Sequence, residues 1–171
     1  KELWEFRELF YFFTWRDIKI KYKQTILGFL WAILQPLFMT FVFTLFVGDS
    51  IVQKTQLVIP YPIFALSGML LWGIFSGGMS NAANSMVSNA NIIKKIYFPR
   101  LIVPISAILV ALVDFFMAFI VFIVLLFIYH VNINYSALLL FPVSILITCL
   151  AAMGCGTLLA SLNIKYRDVR Y

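Results

Sequence analysis

Four stretches of the chain are apolar and almost free of charge. Residues 28–48, 61–79 and 136–162 carry no charged side chain, and 101–129 carries only Asp114. Each is long enough, at about 1.5 Å per residue, to cross a hydrocarbon core about 30 Å thick as a helix. The runs are continuously apolar, which excludes the alternating pattern of a membrane barrel. Inside lipid every backbone N–H and C=O must pair within its own segment. The pattern therefore predicts an all-α integral membrane protein, a polytopic helical bundle with four spans visible.

Composition sharpens this reading. The 171 residues are 63% hydrophobic and 12% charged, with a mean hydropathy of +0.99. Soluble chains are about 45–50% apolar and about 25% charged. A globular core of this size could not hide so much apolar surface, and disorder is excluded by the same numbers. Cys149 and Cys155 lie six apart in one apolar run, a spacing that suits neither a disulfide within one helix nor a zinc site. They are expected as small buried side chains. The charged opening of the chain does not read as a short cleavable signal.

Charge sets the expected orientation. Lys1, Arg7, Arg16, Lys19, Lys21 and Lys23 precede the first span, Lys94, Lys95 and Arg100 follow the second, and Lys165, Arg167 and Arg170 follow the fourth. Only Lys54 falls on the other side. The positive-inside rule makes the crowded side cytoplasmic, with both visible termini inside. The domain organisation expected is an amphipathic interfacial helix with a basic juxtamembrane segment (1–27), a transmembrane domain (28–162) containing a loop at 80–100, and a cytoplasmic segment (163–171). The pI near 9.5 follows from this topology, and no nucleic-acid motif is present.

Several polar features could carry function. In the opening helix Leu3, Phe6, Phe10 and Phe13 share one face, predicted to lie in lipid at the interface. Arg16, Lys19, Lys21 and Lys23 meet the headgroups, worth about 1 kcal/mol each at an anionic surface. They read either as a lipid anchor or as a capture site for a diphosphate head. In span one Gln24, Gly28, Trp31, Gln35 and Phe38 recur every three or four residues. That stripe suits sugar rings, with flat apolar contact beside hydrogen bonds, or equally an aromatic interface belt. Pro36 should kink the span.

Asn81, Asn84, Ser85, Ser88 and Asn91 form a polar stripe on a helix continuing span two, facing either a watery cavity or a neighbouring helix. The segment from Asn91 through Ile92, Ile93, Lys94, Lys95, Ile96, Tyr97, Phe98 and Pro99 to Arg100 is basic and apolar together, as a partner surface would be. Asp114, about half-way along span three, is a functional candidate because an intramembrane acid is costly. The reading without a function is a carboxylate held by a neighbouring helix, or one neutral in place. With one His, no phosphate loop and no Cys/His cluster, neither catalysis nor a metal site is expected.

Three motifs resemble those of one family. The run R-D-I-K-I-K-Y-K-Q-T-I-L-G-F-L-W-A-I-L-Q-P-L (16–37), the loop N-I-I-K-K-I-Y-F-P-R-L-I-V-P (91–104) and the segment L-N-I-K-Y-R-D-V-R-Y (162–171) resemble type-2 ABC exporter permeases of the O-antigen and teichoic-acid polysaccharide type. The resemblance implies a permease subunit that pairs with a second copy of itself and with two nucleotide-binding ATPase subunits. These would pass a lipid-diphosphate-linked glycan across the bacterial inner membrane. ATP and Mg would be bound by the partner subunit, with no cofactor in this chain.

Residues 91–100 would then contain the helix that couples to the ATPase, and Leu27 and Gly28 the turn near the substrate entrance. Such permeases have six spans, so two more would follow Tyr171. The substrate path expected combines Lys19, Lys21, Lys23, Gln24, Leu27, Gly28, Trp31, Gln35, Phe38, Asn81, Asn84, Ser85 and Ser88. Three readings compete: an ABC exporter of a drug or simple lipid, a membrane scaffold that only recruits a cytoplasmic partner, and a membrane enzyme acting on lipid diphosphates, for which the chain lacks a convincing catalytic set.

Overall fold

The computed structural model describes residues 6–23, 28–48, 59–131 and 135–165. Helix α1 spans Arg7–Lys23 and α2 spans Gly28–Phe43, continued by one π-helical turn at Thr44–Gly48. Helix α3 is Tyr61–Ser88, α4 the short Ala90–Ile93, α5 Ile102–Ile128 and α6 Tyr135–Lys165. Four of these are long and apolar enough to cross a membrane: α2 with its π turn, α3, α5 and α6. Gln24, Leu27 and the 49–58 segment lie outside the described residues.

Local sequence accounts for the ends. Proline at N2 of α3, Pro62, donates no N–H where none is needed. At the C-terminus of α5, His130 takes φ 48° and the Val131 N–H reaches back to the Leu126 carbonyl at 3.3 Å. That is a left-handed helix stop, and the only described His is spent on it. Pro36 sits inside α2. The Thr40 hydroxyl donates to the Pro36 carbonyl at 2.7 Å and Thr44 repeats this on Thr40.

The packed centre is α3 against α5 and α6. Leu70, Ile74, Phe115 and Ala118 are buried, with Phe119 and Phe141 packed against them and stacked on each other at 5.0 Å between centroids. Lipid tails are as apolar as leucine, so close backbone approach must replace the hydrophobic drive. Small residues supply it. A Cβ on Gly156 would stand 2.7 Å from the Ala82 Cβ, and one on Gly78 would stand 3.4 Å from that of Ala152. Across the same seam the Asn163 amide donates to the Ala83 carbonyl at 2.9 Å. By contrast only 6% of the apolar window of α2 is buried. Cys149 is half-buried and Cys155 exposed, so the second cysteine is not the buried side chain its apolar setting predicts.

The aromatic face of α1 is turned differently from expectation. Phe13 is buried against Phe98, Ile102 and Val103, and Phe6, Leu9 and Phe10 pack around them with Ile92 and Ile93. The face predicted for lipid is therefore sunk into protein, while Tyr11, Phe12 and Trp15 stay exposed. Spacing alone shows that a face is apolar, not which apolar neighbour it meets.

Candidate functional site

Helix α1 joins two polar places. At its foot Arg16 lies over the Phe13 ring, 4.8 Å from the centroid. Its guanidinium donates to Asp17 and, at 2.6 Å, to the buried Asn89 Oδ1. Asn89 in turn donates to the Ser85 carbonyl at 2.8 Å. The planar fork of arginine suits this double contact. Further along, the Lys21 ammonium and the Tyr22 hydroxyl both donate to Asp114 on α5, Tyr22 at 2.5 Å. Burial first, then the hydrogen bond and the charge of Asp114, push the Tyr22 phenol above its ordinary range, so it remains a donor.

Those three residues help line a cleft of about 730 Å³. Trp31, Gln35 and Phe43 of α2, Tyr61, Trp72 and Ser76 of α3 and Phe115 of α5 make its walls. Its size and its mostly apolar lining with a few polar groups are those of a small-ligand site. The arrangement offers aromatic faces, one amide, three hydroxyls and one ion pair. Among the described residues no three His, Cys, Asp or Glu cluster as metal ligands would.

The sequence-expected path residues divide. Lys21, Trp31 and Gln35 come together at the cleft, while Phe38 is exposed elsewhere on α2. Lys19 and Lys23 line a separate shallow groove with Trp15, Ile18 and Tyr22. Gly28 opens α2. The Ser/Asn stripe stands apart from the cleft: Asn84, Ser85 and Ser88 donate to Ser80, Ala82 and Asn84 carbonyls of their own helix. Asn81 is half-buried on the same helix. Bonds from the amides near this segment to other helices are made instead at Asn89 and Asn163, which the stripe does not include.

The 91–100 segment also divides. Ile92, Ile93 and Phe98 turn inward onto Phe13, whereas Lys94, Lys95, Ile96 and Arg100 are exposed and Tyr97 is 97% exposed. Asn91 is exposed and Pro99 half-buried. An apolar and aromatic tip with three cations beside it, held on a buried base, has the composition of a docking surface.

These features define a multi-pass helical membrane domain with an apolar cleft and a solvent-facing basic loop. The chain matches the family model of the ABC-2 type transporter over residues 8–170 and belongs to that family. Two proteins of Klebsiella pneumoniae named O-antigen export system permease protein RfbA are 29% and 30% identical to it over 157 residues, covering 91% of this chain and 59% of theirs. A Myxococcus xanthus protein of the same name is 28% identical over 171 residues, 100% of this chain and 64% of its own. The chain thus spans about three-fifths of the length of these relatives.

Proposed function

We propose that this chain forms the transmembrane permease subunit of an ATP-driven exporter that moves a lipid-diphosphate-linked polysaccharide of O-antigen type across the bacterial inner membrane. The observation that carries it is membership of the ABC-2 family together with relatives named as O-antigen export permeases. The exposed Lys94, Lys95, Ile96 and Tyr97 support a separate ATPase as partner, with ATP and Mg held there. The aromatic and amide groups of the cleft support a glycan as cargo. The permease works as a dimer of two copies, with both of these termini and the 91–100 loop on the cytoplasmic side.

The test is purification of the full-length protein from its native membrane. A phosphate-loop subunit should co-purify stoichiometrically. The triple substitution Lys94→Ala, Lys95→Ala, Tyr97→Ala should remove it while leaving the melting temperature of the permease unchanged, because all three side chains are exposed. Recovery of the permease with no ATPase, in a detergent that keeps its dimer, would refute the reading.

A further inference from the structure

Among the described residues, Lys21 and Asp114 are the only charged side chains lining the cleft, and they are bonded to each other. Neither is sealed in. The Lys21 side chain is 44% exposed and that of Asp114 28%. A second anion entering the cleft can reach an ion pair this open, unlike a buried clamp. It is also not needed to fasten the foot of α1, which Phe13 and the Arg16–Asn89 bond already secure.

We propose that this pair is a charge-exchange site, at which an anionic phosphate head group takes Lys21 from Asp114. The proposal rests on reading the cargo as a lipid diphosphate. Lys19 and Lys23 are exposed on the same helix, in a separate groove that Tyr22 also borders. A phosphate offers more acceptor charge than one carboxylate and competes well for an ammonium. After the exchange Asp114 is not left bare, because the Tyr22 hydroxyl stays bonded to it and stays protonated. Asp114 is thus a positioning residue: it stores Lys21 at the cleft wall and sets how strongly an anion must bind to claim it.

The opposing signs of two substitutions test this. Farnesyl diphosphate is titrated into the full-length permease in neutral detergent, read by tryptophan fluorescence, since Trp31 and Trp72 line the same cleft. Asp114→Asn removes the competitor and should tighten binding on the order of fivefold, while Lys21→Ala should weaken it by as much. Tyr22→Phe takes away the donor that holds Asp114 after exchange and should also weaken binding. It provides the test if Asp114→Asn does not fold.

Weakening by Asp114→Asn and Lys21→Ala alike would make the pair a structural clip and overturn the proposal, leaving the cargo reading intact. Wild-type affinity in Tyr22→Phe would overturn it too. No binding by wild type or any variant would overturn the proposal and the diphosphate reading together. Phosphatidylglycerol separates the two sources of the phosphate. The same variant order with that lipid supports exchange with bilayer lipid, and a response to the diphosphate alone supports exchange with cargo.

Discussion

Gly156 shows how narrowly one residue can define a membrane fold. Its missing Cβ lets α6 approach α3 until Ala82 fills the space, with the Met79 carbonyl and Cα at 3.4 and 3.5 Å from where a methyl would sit. Gly156→Ala should therefore destabilise the bundle by about 1–3 kcal/mol, the usual cost of overpacking. Ala82→Gly in the same molecule should recover most of that loss, a coupling that thermal unfolding in detergent would measure as a double-mutant cycle. Gly48 is a lesser case, with the Tyr61 ring 3.2 Å from a virtual Cβ. Single residues were also where sequence reading failed. Asp114 could be singled out as costly, yet its partners Lys21 and Tyr22 lie more than ninety residues away in the chain. Periodicity carries no information about contacts at that separation. Asn89 escaped for a related reason: it falls outside the Ser/Asn stripe, and only the fold brings Arg16 to it.

At the level of elements, the four spans were legible because lipid imposes one rule on every residue of a crossing segment. The continuation of α3 through its Ser/Asn segment to Ser88 was legible too. What a polar stripe does was not, since Asn84, Ser85 and Ser88 answer their hydrogen bonds within their own helix. Helix α1 gives the sharpest element-scale expectation. Phe13 lies with Phe98 at 5.6 Å between ring centroids and shares a buried cluster with Ile102 and Val103. Phe13→Ala should leave a cavity costing about 3–5 kcal/mol locally and loosen the base of the 91–100 loop. Trypsin cleavage after Lys94 and Lys95 should then accelerate several-fold while cleavage in other exposed segments keeps its rate.

For the whole molecule, the contrast between α2 and the other spans organises the cleft. The α3–α5–α6 centre is tightly packed, whereas α2 presents Trp31 and Gln35 to the cleft and most of its remaining surface outward. Under the proposed function, Trp31→Ala with Gln35→Ala should lower export of an assembled glycan about tenfold by removing an aromatic face and an amide. The melting temperature should hardly change, because both side chains are exposed. Unchanged export would remove these two residues from the path.

The placement of α1 has a mechanical consequence. Phe13 is its fulcrum, in contact with the loop through Phe98, and Lys21 and Tyr22 are its working end at Asp114. The arm between them is about 13 Å long at helical rise. A tilt of about 10° about the fulcrum would carry the working end about 2 Å, further than a hydrogen bond can stretch. A small rocking of the loop would thereby make or break the bonds at the cleft, with no span required to shift along its axis.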